Sequence, residues 1–201
     1  DIQRDVVKNE RRQSYENRPY GMAHLALQPA VFPTPHPYSW PTIGSQEDLE
    51  AASLEDVKDF FRRYYAPSNA SIVIAGDIDT EEARNSVERY FGDIAPGPPI
   101  TRIGRMDSDL RGEVSLTMRD QVQLPRLYLV WPTVPLFDPD EAPLDILAMV
   151  LGDGKSSRLS RILVYEKQTA RDVRVGNYAQ LLAGEFQIQV TAFVNLAAWW
   201  S

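Results

Sequence analysis

The chain has no cysteine, only two histidines and no long hydrophobic run. Without cysteine there are no disulfides, no thiolate catalysis and no thiolate zinc site. No apolar stretch reaches the ~18 residues that a membrane-spanning helix needs. Basic residues are not in excess: 21 Lys and Arg stand against 28 Asp and Glu, for a net charge of −7. That balance argues against a nucleic-acid binder, which carries a basic patch. No phosphate-loop spacing GxxxxGK[ST] occurs, and no signal peptide is read at the start. What is present is ordinary: 43% hydrophobic and 24% charged residues over 201 positions. This length and composition suit one large globular domain or two small ones.

Proline and glycine punctuate the rest. Residues 5–17 (DVVKNERRQSYEN) place Val6, Val7, Glu10 and Ser14 on one side, which predicts a helix ended by Pro19 and Gly21. Pro29, Pro33, Pro35, Pro37, Pro41 and Gly44 predict a looped or extended segment over 29–45. Ser53 and Asp56 predict a capped helix, with Asp in the usual Glu position of a capping box. Its stripe of Leu54, Val57, Phe60, Phe61, Tyr64 and Tyr65 reads as core rather than as an aromatic binding platform. Residues 70–75 (ASIVIA) predict a central strand, closed by Gly76-Asp77. Thr80 is read as the cap of a helix to about Phe91, with Ala83, Val87, Tyr90 and Phe91 inward.

Pro96-Gly97-Pro98-Pro99 marks a linker. Beyond it, 113–118 and 126–131 predict strands, and 138–151 a helix with acidic residues at its positive end. Gly152-Asp153-Gly154 predicts a helix stop, and Ser156 the start of a helix to about Lys167. Residues 173–179 and 185–193 predict an antiparallel pair joined at Gly184. Helices mixed with antiparallel strands predict an α+β architecture.

Three stretches stand in a telling order: RDVVKNERRQSYENRPYG, then HPYSWPTIGSQEDLEAASLEDVKDFFRRYYAPSNASIVIAGDI, then residues 124–173 with GDGKSSRL. Over about residues 5–193 this order resembles the insulinase-like (pitrilysin, inverzincin) zinc metallopeptidases. The resemblance implies an α+β fold of the insulinase and mitochondrial-processing-peptidase kind, with helices packed on one face of mostly antiparallel sheets, in two incomplete units. It implies the C-terminal part of a first peptidase-like domain over 1–95, a linker over 96–112, and the N-terminal part of a second, divergent domain over 113–201. The family's HxxEH motif occurs nowhere in the sequence. A helical pattern already runs at the first residues. The expectation is therefore that the chain starts after the HxxEH helix of a longer protein.

The site residues follow from the same match. A lone Glu within a helix is ordinarily a solvent-facing helix former. Glu10 falls on the family's third zinc ligand, and the resemblance implies that it is a metal ligand; a carboxylate suits zinc. No catalytic or cofactor-binding residue is expected in this chain. The acidic residue that some members carry seven positions earlier is Gln3 here. His24 reads as a capping or surface residue and His36 as structural, neither as a zinc ligand. The Arg and Tyr that bind substrate backbone in many members fall on Tyr165 and Asp172, so that pair is missing. An ionised Asp cannot donate as a phenol does. Trp199 and Trp200 match nothing in the family and would form a sticky patch if exposed.

The expected function is part of a zinc-dependent metalloendopeptidase that hydrolyses peptides or unfolded polypeptide segments. Zn2+ is expected in the full-length protein, and this chain is expected to be inactive alone. The alternative is a non-catalytic partner or structural subunit of the same family. Expected partners are a peptide substrate and a homodimer or paired subunit, with no nucleic acid and no membrane span. The expected location is periplasmic, with the cytoplasm as alternative.

Overall fold

The computed structural model describes residues 2–193; Trp199 and Trp200 lie outside them. Two compact units divide the described residues: Glu47–Arg102, and the segments on either side of it taken together.

In the larger unit, α1 (Ile2–Arg11) runs directly into a π-helical turn, Arg12–Glu16. Asn17 N–H closes that turn on Arg12 O at 2.7 Å. Tyr20 then takes the left-handed conformation (φ 62°) and caps α2 (Gly21–Val31). This corrects the expected loop, because α2 runs through Pro29. Pro29 lacks the N–H that would reach back four residues, yet the last turn still closes, with Phe32 N–H on Gln28 O at 2.8 Å.

The sheet of this unit holds β1 (Arg126–Thr133), β2 (Ala170–Ala179) and β3 (Gly184–Ala192) in the order β1-β3-β2, both pairings antiparallel. The predicted antiparallel pair is therefore β2 and β3. Leu127, Val190 and Val173 align across the three strands, as do Leu129, Ile188 and Val175. Alternation puts all six on one face. Leu159, Leu163 and Val164 pack on that face, from a helical segment that is π-helical over Ser160–Glu166. On the opposite face Val130 meets Val31, Phe32 and Ala183. Between β1 and β2 runs α6 (Glu141–Gly152). Ser157, not Ser156, sits at the turn after it. Its hydroxyl donates to Gly154 O at 2.9 Å rather than capping a helix N–H.

The smaller unit takes in most of α3 (Gln46–Ala51), together with α4 (Leu54–Tyr64) and α5 (Thr80–Phe91). The capping box of α4 forms as its sequence suggests: Ser53 Oγ accepts from Asp56 N–H at 3.2 Å, and Asp56 Oδ2 accepts from Ser53 N–H at 2.8 Å. The Ser53 hydroxyl, then its backbone N–H, hold the Asp56 carboxyl below its ordinary range. Asp79, one residue before the expected Thr80, caps α5 by accepting from Glu82 N–H at 2.8 Å.

Two expectations fail in a related way. Residues 70–75 and 113–118 lie in no strand. A strand needs a neighbour, and the amides of 71–75 and 113–118 hydrogen-bond to no backbone among the described residues. Val57, Phe60, Phe61 and Tyr65, read as core, are exposed, as are Tyr90 and Phe91 on α5. The α4 rings stack on one another instead, with Phe60–Tyr64 at 4.8 Å and Phe61–Tyr65 at 4.4 Å between centroids. Apolar periodicity selects the face that seeks burial, and no described element covers that face.

Candidate metal-ligand position

Glu10 lies in the last turn of α1, two residues before the helix widens into its π-turn. Its side chain is exposed and makes no ion pair with a described residue. The neighbouring side chains are engaged. Arg11 Nε pairs with Glu16 at 3.2 Å while its Nη1 donates to Gly44 O at 2.7 Å. Asn9 Oδ1 accepts from Arg12 at 3.2 Å. The two arginines that follow Glu10 are thus engaged with other partners.

No group of three or more His, Asp or Glu side chains able to hold a metal occurs among the described residues. Catalytic zinc takes three protein ligands, so the described donors do not fit zinc by themselves. Glu10 and the two histidines do not converge. His36 is 2% exposed and fully engaged. Its Nδ1 accepts from Tyr38 N–H at 3.0 Å, which places the proton on Nε2, and Nε2 donates to Met106 O at 2.7 Å. Its ring also packs against Phe32 at 4.7 Å and Tyr38 at 5.1 Å. These contacts give it the structural role expected. His24 is exposed on α2. Its charge bears on Glu185 of β3, whose carboxyl is held above its ordinary range mainly by burial, with His24 acting the other way.

Asp172 joins a polar relay across one end of the sheet, which spacing could not reveal. Thr191 is 1% exposed and stands opposite both Arg126 and Asp172 in the strand register. Its hydroxyl accepts from Arg126 Nε at 3.2 Å and donates to Asp172 Oδ1 at 3.1 Å. The Arg126 guanidinium lies 3.7 Å from the centre of the Tyr20 ring, and Tyr20 donates to Leu124 O at 2.7 Å. Asp172 Oδ2 accepts from Arg171 at 3.0 Å. Both Asp172 oxygens are therefore occupied, and Tyr165 is exposed in the π-helical segment.

Comparison with known proteins bears on the origin of this arrangement. A family model described as "Peptidase M16 inactive domain" matches residues 51–195. Zinc protease PqqE of Helicobacter pylori is 29% identical over 174 residues, covering 84% of this chain and 38% of its own length. The crystal structure of a protease from H. pylori superposes with a TM-score of 0.76 at 28% identity, over 96% of this chain and 47% of that one. The periplasmic protease PqqL from Escherichia coli shares the fold alone, with a TM-score of 0.63 at 17% identity over 96% of this chain and 22% of that one. The chain spans less than half the length of each of these proteins.

Proposed function

The chain belongs to the peptidase M16 family through its inactive domain, and from that premise we propose that it is one part of a zinc-dependent metalloendopeptidase acting on peptides or unfolded polypeptide segments. The observation that carries this reading is the similarity to a zinc protease over 84% of the chain. In this reading Glu10 completes a metal shell whose other ligands lie elsewhere in the full-length protein. Residues 1–95 and 113–201 belong to two successive domains joined by 96–112. Zinc, the peptide substrate and a paired subunit or second copy belong to the assembled enzyme, and no step of the hydrolysis is assigned to residues of this chain. The proposed compartment is the periplasm, on the strength of the E. coli relative's description.

One observation favours a second reading, a non-catalytic partner or structural subunit. The matching domain is described as inactive.

Zinc content separates the two. The full-length gene product should bind zinc and hydrolyse an unfolded protein in an EDTA-sensitive way. Glu10→Gln should weaken zinc binding at least about tenfold, as losses around a metal shell typically do. The isolated 201-residue chain should hydrolyse nothing. Zinc retained at wild-type affinity by the Gln variant would remove Glu10 from the shell. A zinc-free, inactive wild-type protein would establish the second reading.

A further inference from the structure

Arg126, at the start of β1, is held in place but not neutralised. Its Nε donates to the buried Thr191 hydroxyl at 3.2 Å, and its guanidinium carbon lies 3.7 Å from the centre of the Tyr20 ring. Each support is itself held. Thr191 donates to Asp172 Oδ1 at 3.1 Å, and the Tyr20 hydroxyl donates to Leu124 O at 2.7 Å. Tyr20 N–H donates to Asp120 Oδ2 at 2.8 Å, which steadies a backbone in the left-handed region at φ 62°. A bulky residue at positive φ is strained, and such outliers gather at binding sites. The two carboxylates of this cluster are turned to other donors. Asp120 Oδ1 accepts from Gln121 N–H at 2.7 Å, and Asp172 Oδ2 accepts from Arg171 at 3.0 Å. The two Nη groups of Arg126 meet no acceptor among the described residues.

We propose that the two Nη groups of Arg126 bind a carboxylate of a peptide, either its C-terminal group or an acidic side chain. A guanidinium offers parallel N–H donors that match both oxygens of a carboxylate, whereas a peptide carbonyl brings only one. Arg126 is half-buried, and a charge partly out of water gains most from a partner of opposite sign. The net charge of −7 means that the chain as a whole does not draw anions. A preference for carboxylate therefore has to come from contact with this one fixed donor. Stacking on Tyr20 and the bond to Thr191 orient the fork before a ligand arrives, so less side-chain freedom is lost on binding. Tyr20, Thr191 and Asp172 are positioning residues in this site. That the ligand is a peptide rests on the function proposed above, and Arg126 adds the chemical class that is preferred.

Fluorescence anisotropy tests it on the full-length gene product, with EDTA present to suppress cleavage. The probes are labelled peptides of one sequence that carry Glu or Gln at an internal position, each with a free or an amidated C-terminus. The amidated Gln peptide, which has no carboxylate, should bind at least about tenfold more weakly than the best of the others, as the loss of a charge-assisted pair implies. Which single carboxylate restores binding identifies its source. Arg126→Gln should remove the preference, Arg126→Lys should keep only part of it because the fork is lost, and Thr191→Val should weaken it by releasing the guanidinium. Equal affinity for all the peptides would overturn the proposal, as it would if another part of the parent protein already neutralised Arg126. So would a preference that survives in a folded Arg126→Gln variant. Should the variants fail to fold, the comparison of peptides on the wild-type protein still decides. Hydrolysis of unfolded protein alongside equal affinities would sink this site alone. A carboxylate preference in a protein with neither zinc nor hydrolysis would sink the proposed function and leave the site standing.

Discussion

At the residue scale, the side chain with the clearest pH consequence is Glu185. Burial holds its carboxyl above the ordinary carboxylate value, and the charge of His24 offsets only part of this. A carboxyl raised in the folded state binds more protons there than in the unfolded chain. Its contribution to stability is therefore present below the unfolded pKa and is lost as pH rises through the folded one. Glu185→Gln should flatten that dependence: the variant should be more stable than wild type at about pH 8 and lose the advantage near about pH 4. Urea denaturation at the two pH values reads it directly. Sequence pattern alone put Glu185 in a strand but gave no sign of its burial, because a half-covered carboxylate has no signature in spacing. Glu10 is the converse. It is singled out only through resemblance to a family, since an exposed Glu late in a helix is otherwise unremarkable. The relay through Arg126, Thr191 and Asp172 was beyond reach, because it depends on three strands aligning in register.

At the scale of elements, local chemistry was legible and long-range pairing was not. The capping box of α4 and the β2–β3 hairpin depend on neighbours close in the chain, and both form. The strand at 70–75 carries the right side chains, but pairing depends on a neighbour that periodicity cannot supply. The two π-helical segments also escape, since an i→i+5 bond leaves no distinctive apolar period. Gly152 is legible for one reason and needed for another. It reads as a helix stop, yet its demand is spatial: a Cβ there would lie 2.3 Å from Val175 Cγ2 and 2.7 Å from its backbone N. Gly152 lets α6 close onto β2. Gly152→Ala should cost about 1–3 kcal/mol, the usual range for an overpacked contact. Trimming Val175 should relieve only part of it, because the backbone nitrogen remains. Denaturation of the single and double variants measures the coupling.

For the whole molecule, burial is unevenly distributed between the two units. The larger holds both apolar clusters, around Val31–Phe32 and around Val173–Val190. Glu47–Arg102 has one buried apolar residue among those described, Ala66. Openings that cost little free energy belong where apolar contacts are few. Limited proteolysis of the isolated chain should therefore cut within 70–78 and leave the β1-β3-β2 sheet intact; first cuts inside that sheet would contradict this. One further consequence comes from the wide turn after Glu10. In a π-turn each backbone bond spans one residue more than in an α-helix, so the turn acts as slack in the chain. Trimming one residue from 12–16 would rewind it to ordinary pitch and be absorbed within the turn, without the rotation of about 100° that a deletion in a regular α-helix imposes on the downstream chain, and would leave the aim of position 10 untouched. Insertions and deletions among descendants of this sequence would thus be better absorbed just after that glutamate than just before it.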